Sequence, residues 1–211
     1  MKKRIFVVIC ALLLCVTASF AWLSNFQANY VTNLKVDYEN GALSVVGLGF
    51  SGYIETKDAS GEFVRIPEGE AFKFDAKQMV PDSITPFNIK INNKSATESR
   101  KAKLSVAIRI DPVEMGSVNV LDVLYLEVVA GSGFVGTNNY HVFTKLSDAQ
   151  IIGDRDSGEY LLVIYGNGSE IIIPPTEEGQ YVTLACSFYY DQNATAEYQN
   201  KSVEAIQFRL E

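Results

Sequence analysis

The residues best able to do chemistry are few in this chain, and their spacing does not suit catalysis. A hydrolytic triad needs an imidazole beside a nucleophile. The chain has one histidine, His141, set between Tyr140 and Val142 in a strand-like run, and no Gly-x-Ser-x-Gly elbow. A zinc protease needs two histidines one helical turn apart, which a single histidine cannot supply. The chain carries 25 acidic residues, so chance carboxylate pairs are expected, and sequence cannot give the separation a glycosidase requires. Asp154-Arg155-Asp156-Ser157-Gly158-Glu159 fails the EF-hand pattern, because its glycine falls at position 5 and Tyr165 stands at position 12. Asp154 and Asp156 remain open to two readings, a looser calcium loop or a solvated turn. Gly47-Leu48-Gly49 lacks the third glycine and following helix of a dinucleotide loop. The expectation is a protein without catalytic residues, cofactor or built metal site.

The elements that would position any site are strands. Leu104, Val106, Ile108 and Ile110 alternate with Ser105, Ala107 and Arg109; Phe87, Ile89 and Ile91 alternate with Asn88, Lys90 and Asn92; Val182, Leu184, Cys186, Phe188 and Tyr190 form a third set. A period of two directs each apolar row to one face of a sheet. Leu121–Val129 and Tyr160–Tyr165 are denser apolar runs suited to central strands. Asn40-Gly41, Ser60-Gly61, Glu68-Gly69 and Gly166-Asn167-Gly168 mark turns, and the last reads as a tight hairpin between Tyr160–Tyr165 and Ser169–Ile173. Short helical turns are expected within Ala194–Gln199 and around Leu146–Ile151. Ten to twelve short strands without a linker predict one all-β domain, a sandwich or barrel.

The first 21 residues read as a secretory leader. Lys2-Lys3-Arg4 is the positive end, Ile5–Val16 the apolar run, and Ser19 and Ala21 the small residues before Trp22. Cleavage between Ala21 and Trp22 is expected to leave residues 22–211 as a single domain with no stable membrane span. It removes Cys10 and Cys15, so Cys186 alone remains and an internal disulfide is excluded. The whole chain has 18 basic and 25 acidic residues and a formal charge of −7. Without the three leader cations, 15 basic residues face 25 acidic ones. Such a balance argues against nucleic acid as a partner.

Three short patterns, in this order, resemble the secreted Gram-positive proteins of the TasA and camelysin-like group, which a SipW-type signal peptidase processes. The first is Ala18-Ser19-Phe20-Ala21-Trp22-Leu23. The second is Met79-Val80-Pro81-Asp82-Ser83, followed by Phe87–Asn93 and the strand Leu104–Ile110; the family's Pro-Gly-Asp turn has lost its glycine here. The third is Asp191–Gln207, closing in Ala205-Ile206-Gln207. The resemblance implies a jelly-roll-like two-sheet β-sandwich preceded by a signal helix, secreted to the extracellular space or cell surface. It further implies assembly into biofilm-matrix fibres. The partners implied are copies of the chain itself, added head to tail, with the signal peptidase during export and other matrix or cell-surface proteins. The peptidase activity described for part of the camelysin group does not carry over, since no metal-ligand pair is present.

In such a fibre a neighbour's N-terminal segment adds as a strand. Trp22–Lys35 offers Phe26, Tyr30, Val31 and Leu34 among polar residues, with no proline. An open sheet edge would pair with it, and head-to-tail donation yields a filament. The segment reads equally as a first strand of its own sheet or a frayed terminus. The alternative function is a monomeric cell-surface adhesion or ligand-binding module, with aromatics such as Phe134, Tyr140 or Tyr189-Tyr190 making the contacts.

Overall fold

The strands of this protein are held by two interleaved rows of side chains, apolar inward and mixed outward. The structure, a computed structural model, describes residues 41–45, 49–74, 80–110, 118–130, 141–148, 150–152, 159–163, 170–198 and 203–211. Ala21 and Trp22, the strand residues Phe26, Tyr30, Val31 and Leu34, the acids Asp154 and Asp156, and Phe134 and Tyr140 lie outside them. Among the described residues no helix is long and apolar enough to cross a membrane.

The described chain is mostly β and forms several sheets. Sheet I contains β1 (Leu43–Val45), β14 (Val203–Leu210), β7 (Leu104–Arg109), β11 (Glu159–Val163) and β10 (Gln150–Ile152) in that order, with β4 (Phe72–Phe74) also beside β14. Sheet II runs β3 (Phe63–Arg65), β2 (Phe50–Lys57), β5 (Ile84–Asn93), β13 (Val182–Tyr190), β8 (Leu124–Ala130), β9 (His141–Lys145). A small third sheet pairs β12 (Ile171–Ile173) with β6 (Arg100–Ala102). All sheet II pairs are antiparallel. This arrangement is compatible with an all-β sandwich.

One core cluster joins the sheets. Phe87 of β5 and Phe188 of β13 stack with centroids 5.1 Å apart, and Phe208 of β14 and Phe72 of β4 pack on Phe87 at 5.1 and 5.3 Å. The three alternating rows read from sequence lie here, including Cys186 and Tyr190. Burial of such rings is the largest favourable term available to a fold of this kind.

The edge of β14 away from β7 is divided between two short strands. β4 pairs antiparallel near Val203 and Ile206, and β1 lies parallel along Phe208–Leu210. The Gln207 amide donates to the Gly41 carbonyl at 2.9 Å, and Phe208 N–H donates to Ala42 at 2.8 Å. The closing Ala205-Ile206-Gln207 element therefore fixes the start of β1.

The expected hairpin across Gly166–Gly168 does not form. β11 pairs with β7 and β10, whereas β12 pairs with β6. β6 and β7 are separated only by Lys103. β11 and β12 both run antiparallel to that continuous partner and do not pair with each other; the glycines themselves lie outside the described residues. The two helical expectations are met by 3-10 turns at Ala196–Tyr198 and Leu146–Asp148.

Two turns carry backbone requirements. Gly61 turns β2 into β3 at φ +85°, a conformation that suits glycine. Between Pro81 and Ser83, Asp82 takes φ +67°, and Ser83 N–H donates to Val80 at 3.0 Å. Proline followed by a left-handed residue is the type II turn order. Asp82 thus occupies the conformation that a glycine would fill without strain.

Asn92 and Asn93, at the end of β5, clamp the loops beyond it. Asn92 donates to the carbonyls of Glu177 and Gln180. Asn93, fully buried, donates to Glu98, Ile173 and Pro174 and accepts from Ser95 N–H.

Candidate functional site

Sheet II turns one row inward and presents the other to solvent, and the outer row gathers the unusual residues. Register places Arg65, Glu55, Asn88, Ala185, Val129 and His141 across one line of the outer face. A second line joins Ile84, Tyr189, Tyr125 and Lys145. Phe143 stands opposite Glu127.

Three rings meet at one end of this face. Tyr125 and Phe143 stack with centroids 5.4 Å apart, and Phe143 meets Tyr189 edge to face at 5.5 Å. Phe143 is 56% exposed, as is much of neighbouring Ile84. The Lys145 ammonium stands over the Tyr125 ring, 5.9 Å from its centroid, within reach of a weak cation–π attraction. The Tyr125 hydroxyl reaches Asp191 at 3.4 Å.

Glu127 sits at the edge of these rings. The Tyr189 hydroxyl donates to one carboxylate oxygen, and His141 Nε2 lies 2.8 Å from the other. The Tyr189 hydrogen bond, with smaller help from His141, holds the Glu127 carboxyl below its ordinary range. The same bond raises the Tyr189 phenol, because an ionised phenol could no longer donate to the carboxylate. The carboxylate stands between imidazole and phenol, so the order is not that of a nucleophile–base–orienter triad. Among the described residues, Glu127 is the one side-chain partner of the His141 imidazole.

The other end of the face is cationic and aromatic. Arg65 lies over Tyr53, 4.6 Å from its centroid, and Tyr181 meets Tyr53 edge to face at 5.0 Å. Lys57 stands 5.5 Å from the Phe63 centroid. Between the two ends, Lys90 bridges Glu55 at 3.5 Å and donates to the Thr183 hydroxyl at 3.0 Å, while Asn88 reaches Glu55 at 3.4 Å. Burial first, then Glu55, pushes the Tyr53 phenol up.

Several sequence expectations meet this geometry. His141 opens β9 on the exposed face. Tyr189 and Tyr190 belong to β13, not to a loop; Tyr189 faces out, and Tyr190 faces the core. Cys186 is buried, and burial pushes its thiol well up, which makes it a poor nucleophile. No group of three or more His, Cys, Asp or Glu side chains able to hold a metal comes together among the described residues. The ring cluster of Tyr125, Phe143 and Tyr189 was missed in sequence. Its signal was present in β9, where His141, Phe143 and Lys145 form the polar row and one member is a phenylalanine.

No family model matches the chain, and no curated protein matches it. Among solved structures it is similar to AvmM, described as catalysing macrocyclization in alchivemycin A biosynthesis, at 10% identity and a TM-score of 0.33. The match covers 55% of this chain and 60% of that one, so the chain spans less than two thirds of the neighbour. A likeness this low carries no argument about fold or activity.

Proposed function

We propose that this chain is an exported, jelly-roll-like β-sandwich that works outside the cell by contact and not by catalysis, assembling with copies of itself. The resemblance to the TasA and camelysin-like group supplies the setting: removal of the leader at Ala21–Trp22 and deposition in a biofilm matrix or on the cell surface. The observation that carries the assembly reading is the divided edge of β14. β1 is the first described strand, and it joins the last strand through three residues, in parallel. A pairing this short contributes few backbone hydrogen bonds at about 1 kcal/mol net each. A strand from the N-terminal side of another copy could take that edge at little cost, with Phe26, Tyr30, Val31 and Leu34 as its apolar residues.

Sedimentation and negative-stain imaging of Trp22–Glu211, beside a chain beginning at Lys35, tests the reading. Filaments from the first and monomers from the second are expected. Filaments from both would remove the donor role, and monomers from both at high concentration would remove assembly.

A second reading, a surface adhesion or ligand-binding module, is favoured by a separate observation. The outer face of sheet II carries a ring cluster with Phe143 mostly exposed, where packing alone gains little from an aromatic residue.

A further inference from the structure

The outer face of sheet II differs in charge from the chain that bears it. The chain carries −7 overall, yet register puts Lys57, Arg65, Lys90 and Lys145 on this face with Glu55 and Glu127, and Asp191 stands at its end against the Tyr125 hydroxyl. Glu55 is engaged by Lys90 and Asn88, and Glu127 by Tyr189 and His141. Among the described residues, no carboxylate lies within ion-pair distance of Lys57, Arg65 or Lys145. Each of those three cations stands over an aromatic ring instead. Among the described residues the face therefore offers three cations, Lys57, Arg65 and Lys145, without an acid partner at ion-pair distance, rings beside them, and a corridor of small and polar groups between (Thr183, Ala185, Ser187 and Asn88).

We propose that this face binds an acidic polysaccharide whose pyranose rings carry carboxylates, a uronate polymer. Pyranose rings present flat C–H faces that rest on aromatic rings, and their carboxylates complement the cations. Their hydroxyls can donate to Glu127 and exchange hydrogen bonds with Asn88, Thr183 and Ser187. From Tyr53, level with Thr183, to Tyr125, level with Tyr189, there are three interstrand steps and six residues along the strands, a diagonal of about 25 Å, so an extended polymer of several sugar rings can touch both ring groups at once. A polyol phosphate lacks rings to stack. Nucleic acid carries a phosphate about every 3.4 Å along each strand, and the carboxylates of Glu55, Glu127 and Asp191 oppose that density. The inference rests on the ligand-binding reading and is independent of filament assembly.

Affinity electrophoresis of the purified protein tests it, through gels containing polygalacturonate, dextran, polyglutamate or polyglycerol phosphate. Retardation by polygalacturonate alone is expected, weakening with added salt because exposed charges are screened. The Phe143→Ala variant should lose about tenfold in apparent affinity, as should Lys145→Glu. Both positions are solvent-facing, and unchanged thermal melts would show the variants folded. Equal retardation by polyglutamate or polyglycerol phosphate would overturn the proposal in favour of simple charge attraction. No retardation by polygalacturonate, or undiminished binding by folded Phe143→Ala, would also overturn it. Filament formation is read separately, so loss of polymer binding and loss of assembly are distinguishable.

Discussion

Phe188 and Tyr189 are neighbours on β13 and belong to two different aromatic clusters. Phe188 joins Phe72, Phe87 and Phe208 between the sheets, with ring centroids 5.1 to 6.3 Å apart and no solvent contact to speak of. Tyr189 joins Tyr125 and Phe143 on the outside, with similar ring spacings. Ring-to-ring geometry is therefore no guide to role. The inner cluster removes four rings from water and connects both six-stranded sheets. The outer one leaves Phe143 mostly in water and surrounds itself with groups that form directed bonds, Glu127, His141 and Lys145. The first is built for stability, and the second is left available for contact.

The largest effect should come from the inner cluster. Phe188→Ala is expected to lose about 3–5 kcal/mol of stability, read by urea denaturation; a loss below about 1 kcal/mol would erase the contrast. Next comes Asn93, at the end of the inner-facing row of β5 that begins with Phe87. Asn93→Leu leaves buried carbonyls of Glu98, Ile173 and Pro174 without their shared donor, and about 2–4 kcal/mol should be lost. By contrast, Phe143→Ala should change stability by no more than about 0.5 kcal/mol, as surface substitutions do.

The smallest effect sharpens the outer side by pH. The Glu127 carboxyl is held below its ordinary 4.5 by the Tyr189 hydrogen bond and by His141. A depressed carboxyl contributes stability that is present above its unfolded value and is lost as pH falls through the folded one. Glu127→Gln should therefore flatten the stability change below about pH 4.5. Tyr189, raised above its ordinary 10.0 by the same bond, contributes stability below pH 10 that is lost as pH climbs through the folded value. In Glu127→Gln the Tyr189 titration should move down toward that ordinary value, as followed by absorbance or NMR.

Much of the inner side was legible from sequence. Period two in Phe87–Ile91, Leu104–Ile110 and Val182–Tyr190 named the buried rows, because a strand with one buried face must alternate. Two 3-10 turns, Leu146–Asp148 and Ala196–Tyr198, fell where short helical turns were expected, whereas the run read as strand from Leu121 begins in a third, Val120–Asp122, and is strand only from Leu124. The strand partners were not legible: the glycines at 166 and 168 look like a hairpin, yet β11 and β12 pass along β7 and β6. Pairing depends on which edges are free, and local turn chemistry does not encode that. Nothing in the sequence marks Asn93, a polar residue closing the row Phe87–Ile91, as a buried hydrogen-bond hub. The outer rings escaped notice because they come from three strands, and only the register brings Tyr125, Phe143 and Tyr189 together.

The central claim is that the outer face of sheet II is a contact surface for an acidic, ring-bearing polymer. Hydroxyl-radical footprinting of the purified protein, with and without polygalacturonate, tests this most directly. Oxidation of Phe143 and Tyr125 should fall several-fold when the polymer is added, while exposed Val64 and Ile172, which lie off this face, stay as reactive as before. Unchanged oxidation of Phe143 at saturating polymer would contradict the claim.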